Sequence, residues 1–415
     1  MATILNNQFG SVFSNEDTTY IPPCPDTSGG NHIRSLYFDA NKVKKKIRSL
    51  KVRSSSGPDV FFSKFLVDHV ETLAYPLSII YNRSMETGTV PLAWREANVT
   101  LIFKNKGSKS KAENYRPISL TSIPCKVMES ILRDNIVDHL ARNNLIKSTQ
   151  HGFMAKHSCA TKLLEFLEVT KIYDEGDPLD IVYLDFAKAF DKVPHQRLLN
   201  KMRSLGIEGD ILKWTESWLN DRRQRTVLNS CYSDWLEVKS GVPQGSVLVL
   251  LLFVIFINDI DECSEGISIL LKFADDTKVA NRVSTIEEQE KLQSCLDNLV
   301  EWADQWCMKF ITDKCEVLHV GHTSPHRSYT MEGIPLADID KERDIGVIIS
   351  SNLKPAAQCS EAVQNLRGLD TNLQSISISG HKSFLTTLQT IHPLSFRGKA
   401  TEDWTVITNR KEIEV

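Results

Sequence analysis

The sequence predicts an α+β fold, and three stretches predict it. Ile181-Val182-Tyr183-Leu184 is a short β-branched and aromatic run suited to a buried strand, and it ends directly on Asp185. Residues 266–272 and 277–280 flank Phe273-Ala274-Asp275-Asp276, which places two adjacent carboxylates at the tip of a β-hairpin. Leu292, Leu296, Leu299, Trp302 or Ala303, and Trp306 then recur at helical spacing, a helix with one apolar face for the sheet.

The strand comes first because its chemistry is the clearest. A buried strand that delivers an acid at its end, beside a hairpin tip carrying two more, suits a pair of divalent ions. Two-metal nucleotidyl transfer needs carboxylates that clamp ions about 3.5–4 Å apart, lowering the pKa of the attacking hydroxyl and neutralising the departing pyrophosphate. Asp185, Asp275 and Asp276 are therefore the candidate metal ligands and catalytic acids. Two Mg²⁺ ions fit best, with Mn²⁺ as a substitute, because hard oxygen ligands suit them and substrate phosphates complete such sites. An Asp-Asp turn alone is common, so the strand beside it carries the weight.

Ser240-Gly241-Val242-Pro243-Gln244-Gly245-Ser246 forms a loop whose glycines let backbone approach a ligand and whose glutamine amide can reach a nucleotide or template. The apolar run that follows, residues 247–257, is too short for a bilayer span of about 20 residues and reads as a buried strand or helix.

In order and spacing these strings resemble the reverse transcriptase domain of non-LTR (LINE-type) retrotransposons, most like the jockey kind. The likeness also takes in Ser56-Gly57-Pro58-Asp59, residues 90–100, Asn114-Tyr115-Arg116-Pro117-Ile118-Ser119-Leu120, Gln150-His151-Gly152-Phe153, and Trp306-Cys307-Met308-Lys309-Phe310 with Lys314-Cys315. It covers about residues 5–368. The resemblance implies a right-hand polymerase architecture with fingers, an antiparallel-sheet palm and a partial helical thumb. It implies an RNA-directed DNA polymerase, a nucleotidyltransferase that extends a DNA 3′-hydroxyl on an RNA template with dNTPs during retrotransposition. It carries further roles onto single residues: Phe190 as a steric gate against the 2′-hydroxyl, Gln244 and Arg116 as nucleotide-binding groups, and Lys314 as general acid for pyrophosphate. Asp191 reads as the start of the turn before Pro194 rather than as a ligand.

On this basis residues 1–34, polar and rich in Pro and Gly, form a lead-in or linker. Residues 35–180 are the fingers, 181–320 the palm, 321–370 a thumb-like segment and 371–415 an unmatched tail. The chain departs from the family where Val60, Val249, Leu250 and Ile311 stand in place of the usual Gly, Gly, Pro and Asn. Those departures support the alternative, a catalytically inert remnant that at most binds RNA.

The 415 residues carry a net charge of −3, unusual for a protein that holds nucleic acid. Template and primer binding is therefore expected to be local, with Lys42, Lys44, Lys45, Lys46, Arg48, Lys51 and Arg53, then Lys104, Lys106, Lys109, Lys111 and Arg116, then Arg222, Arg223 and Arg225 lining one channel. Nine cysteines without CxxC or zinc spacing read as free thiols in a reducing compartment. The start lacks a signal peptide's pattern, so the expectation is an intracellular protein, in nucleus or cytoplasm and not secreted. No membrane is expected as a partner. Integration would need a separate endonuclease activity.

Overall fold

The computed structural model describes residues 1–105, 107–150, 163–164, 166, 176–321 and 323–369. Lys106, residues 151–153 of the glutamine-glycine motif and the 371–415 tail lie outside the described residues. Fourteen strands are described: β1 Glu96–Phe103, β2 Tyr115–Leu120, β3 Leu179–Leu184, β4 Arg222–Leu228, β5 Cys231–Tyr232, β6 Leu236–Val238, β7 Ile269–Phe273, β8 Asp276–Arg282, β9 Glu316–Val320, β10 Thr330–Met331, β11 Ile334–Pro335, β12 Ala337–Ile339, β13 Lys341–Asp344 and β14 Val347–Ser350.

Strand β3 shows why its sequence is apolar without interruption. Its alternate side chains enter two different cores: Val182 and Leu184 join the main core, while Leu179 and Ile181 join a second on the opposite face. The strand is central in a sheet of order β12-β9-β3-β8-β7. Its pairings with β8 and β9 are antiparallel, as is β7 with β8, but β12 lies parallel to β9. The sheet expected to be antiparallel is thus mixed at one edge.

A second sheet has the order β2-β1-β4-β5, with β6 also paired to β4. Here too the pairing is mixed, since β1 runs antiparallel to β2 and parallel to β4. The main core lies between the first sheet and helices Val70–Thr87, Ile123–Arg142, Gly209–Leu219, Val249–Phe256 and Ile286–Gln305. Helix Ile286–Gln305 opens with a Thr285/Glu288 capping box and buries Leu292, Leu296, Leu299, Trp302 and Ala303, the face its spacing predicts. The apolar run near residue 250 is a helix, not a strand. Val249 is buried in its first turn and Leu250 packs against the same core, so these two bulky residues begin the helix without disrupting it. No helix among the described residues is long and apolar enough to cross a membrane.

Residues 1–34 are fastened to the body rather than hanging from it as a lead-in. Helix Ala2–Gly10 packs Leu5 and Phe9 on Val99 of β1. Further on, the Glu16 carboxylate accepts from the backbone amides of Gln196 at 2.8 Å and Arg197 at 3.0 Å, the first turn of helix His195–Ser204, and pairs with the Arg197 guanidinium at 3.0 Å. A carboxylate there satisfies amides that have no partner within the helix.

Val60, where the resembled family has glycine, adopts φ 61° and is mostly exposed. A β-branched residue in the left-handed region costs about 1–2 kcal/mol, against about 0.5–1 kcal/mol for the extra freedom of an unfolded glycine. Val60→Gly is accordingly expected to raise the unfolding free energy by about 0.5–1 kcal/mol. A urea midpoint that moves upward at constant slope is the check, and a fall would contradict the strain argument.

Candidate functional site

Pairing register builds the acidic centre. β3 and β8 end with Leu184 opposite Thr277, so the next position in register sets Asp185 against Asp276. The hairpin closes with Phe273 paired to Asp276, leaving Ala274 and Asp275 as the two turn residues, with Ala274 at φ 55°. A two-residue turn with positive φ matches the right-handed twist of the flanking strands. From outside the hairpin, the Ala274 amide donates to the Gln150 side-chain oxygen at 3.3 Å. Lys272 beneath it is buried on Asp261, which also receives the Thr149 hydroxyl.

Asp185 is fixed through its backbone. Its carbonyl accepts from the Ile311 amide at 2.8 Å, the Ala187 amide donates to the Lys309 carbonyl at 2.7 Å, and the Phe186 and Phe310 rings stack with centroids 4.4 Å apart. This gives the tryptophan-to-phenylalanine motif at 306–310 its purpose: it is the rail along which the acid is held. Its last neighbour, Lys314, donates to Asp185 Oδ2 at 2.7 Å.

The chain segments that carry Phe190 and Gln244 meet a few residues further on. Phe190 is half-buried with its ring 4.6 Å from Phe253, and its carbonyl accepts from the Val242 amide at 2.8 Å. Gly241 is required here. It has φ +83°, and a Cβ would stand 2.5 Å from the Asp191 carbonyl oxygen. The Gln244 side chain donates to Asp191 at 3.2 Å, and burial raises the Asp191 carboxyl above its ordinary pKa. Asp191 thus serves the loop. It sits in the short helix Ala189–Lys192, with Val193 and Pro194 following.

Burial, then the charges of Lys188, Arg116 and Lys314, hold the Lys104 ammonium below its usual range, so each of these three cations acts on Lys104. Arg116 is exposed on β2, opposite Ile102. Lys188, at φ 54° just before helix Ala189–Lys192, was missed in the sequence, as was the partnership of Lys104. No local pattern in the sequence marks either lysine.

A family model for reverse transcriptase (RNA-dependent DNA polymerase) matches residues 104–363, more than half of the chain. The chain belongs to the reverse transcriptase family. The probable RNA-directed DNA polymerase from transposon BS of Drosophila melanogaster is 26% identical over 350 residues, covering 79% of this chain and 38% of that protein. The RNA-directed DNA polymerase from mobile element jockey of the same fly is 27% identical over 288 residues, 66% of this chain and 31% of that protein. A Pol polyprotein from type-1 retrotransposable element R2 of Nasonia vitripennis is 23% identical over 79% of this chain and 33% of its own length. The chain thus spans about a third of the length of these relatives.

Within this reverse transcriptase domain the expected basic channel is largely corrected. Arg222 is buried, donates to the Trp218 carbonyl at 3.0 Å and stacks on the Trp218 ring. Arg223 pairs with Glu96, and Arg225 binds Asn98 between the Tyr232 and Trp235 rings. In the first stretch Lys44 and Arg48 pair with Glu71, and Lys46 with Asp134. These cations hold helices and strands together. Lys104 and Arg116 of the second stretch instead act electrostatically on one another, and Lys104 also on Lys314, the lysine that binds Asp185.

Proposed function

We propose that the domain extends a DNA 3′-hydroxyl on an RNA template with dNTPs, using a palm built on the β3/β7/β8 acids, fingers from the preceding segment and a partial thumb after residue 320. The observation that supports this reading is Asp185 set in register against the Asp275-Asp276 turn with Lys314 on its carboxylate, Lys314 in turn acting on Lys104, which Arg116 and Lys188 also influence. Acids for cations and cations for phosphates, side by side, suit a triphosphate on metal.

The donor set fits Mg²⁺. No three His, Cys, Asp or Glu side chains among the described residues converge tightly enough to hold an ion unaided. Mg²⁺ asks for less, since one or two carboxylates suffice when water and substrate phosphate supply the rest. The Lys314 ammonium already stands as a cation on Asp185. Asp185, Asp275 and Asp276 would hold two ions, Mn²⁺ serving as substitute, and the metals would lower the pKa of the attacking hydroxyl and offset charge on the leaving pyrophosphate.

The chain's own residues do the remainder. Arg116, with Lys104 and Lys188, receives the triphosphate, its guanidinium suited to paired phosphate oxygens. Gln244 leaves Asp191 to meet the nucleotide. Phe190 sets its ring against the sugar and excludes a 2′-hydroxyl, and Lys314 delivers the proton to pyrophosphate. Retrotransposition would draw its DNA nick from an endonuclease. The inert-remnant reading loses one support, because Val249 and Leu250 fit the helix they begin.

Primer extension on poly(rA)·oligo(dT) with dTTP and Mg²⁺ tests the proposal. Synthesis by the unmutated chain, lost in the Asp275→Ala/Asp276→Ala variant, is the expected result. Template binding without synthesis by the unmutated chain would favour the remnant.

A further inference from the structure

We propose that Glu129 is a positioning residue for the nucleotide, fixing the Gln244 loop to the segment that carries Arg116. The proposal rests on the polymerase reading, and its test separates the two. Glu129 lies in helix Ile123–Arg142 and is 1% exposed, an unusual place for a carboxylate. Its Oε2 accepts from the Ser246 hydroxyl and the Val247 amide, each at 2.8 Å, and its Oε1 accepts from the Cys125 thiol at 3.2 Å. Ser246 Oγ in turn accepts from the Leu248 amide at 3.1 Å, just ahead of helix Val249–Phe256. The carboxylate therefore gathers the donors on the far side of the loop. Burial lowers the pKa of Arg222, and the Glu129 charge partly offsets that effect.

The near side is clamped by the same stretch of chain. The Ser119 amide donates to the Gln244 carbonyl at 2.7 Å, and Gly245, at φ +116°, has no room for a Cβ against the Ser119 carbonyl. Ser119 lies three residues beyond Arg116 on β2, and Glu129 is on the helix that follows. Loop and strand consequently move as one piece, and the separation of Gln244 from Arg116 is set by Glu129. Glu129 touches no substrate. Its effect should be on nucleotide affinity, through geometry.

Steady-state extension at varied dTTP, on the full chain and its Glu129→Ala, Glu129→Gln and Ser246→Ala variants, provides the test, together with amide exchange at Val247 and Leu248. The expected result for Glu129→Ala is a KM for dTTP raised about tenfold at near-constant kcat and template affinity, because uniform binding is lost. Glu129→Gln keeps an acceptor oxygen and should recover most of this. Faster exchange at Val247 should accompany the change. Should Glu129→Ala not fold, Ser246→Ala, which removes one donor, carries the same expectation at about threefold in KM. A fall in kcat with KM unchanged would make Glu129 merely structural and overturn the proposal. If the unmutated chain synthesises nothing, the polymerase reading fails separately, and unaltered exchange at Val247 in the variants would still sink the clamp.

Discussion

Asp185→Asn is expected to reduce primer extension about a thousandfold or more while leaving the fold intact. The substitution keeps the shape of the side chain and removes the charge, so a carboxylate that would hold metal under the proposed function is lost; about 4 kcal/mol of transition-state stabilisation corresponds to that factor. Stability should change by less than about 1 kcal/mol, since the Lys314 pair it breaks is well exposed to solvent. The backbone bonds to Ile311 and Lys309 remain. Extension rates and template binding measured on the same preparation check both halves. Activity within about tenfold of the unmutated chain would contradict the proposed role of Asp185 as a metal ligand.

The second large effect is on stability and lies far from the acids in sequence. Glu16→Ala is expected to lower the unfolding free energy by about 3–5 kcal/mol, because it strands the Arg197 guanidinium in a buried site and uncaps helix His195–Ser204. The side chains of the pair are 9% and 6% exposed, so water cannot take over. A loss of this size is a large share of the 5–15 kcal/mol that typically holds a domain. Removing both charges, as Glu16→Ala/Arg197→Met, should restore part of it. Urea unfolding of the three proteins decides the matter, and a loss below about 1 kcal/mol for Glu16→Ala would show the pair to be dispensable.

These two residues mark what could and could not be read from the chain. Asp185 and the Asp275-Asp276 turn were legible because strand ends and tight turns are written locally, in β-branched runs and turn dipeptides. Helix Ile286–Gln305 was legible by its 3.6-residue period. Glu16 was not, since its partner is 181 positions away and nothing nearby in sequence announces the pairing. Charge counting likewise could not tell a cation spent on Glu71 or Trp218 from one left exposed, and so Arg222 was misjudged and the link of Lys188 to Lys104 overlooked. The mixed edge at β12 followed from a three-residue strand too short to show its direction.

One consequence concerns anyone who would trim the protein. The match to the family model begins at residue 104, immediately after β1 ends at Phe103. Yet β1 is the central partner of both β2 and β4, and helix Ala2–Gly10 covers it. A fragment cut at the shared boundary would keep every acid and every glycine of the nucleotide loop, but the strand bearing Arg116 would become an unpaired edge, open to pairing with another molecule. The family model thus outlines a smaller object than the packed sheet requires, and a stable fragment should be sought with its start upstream of residue 104.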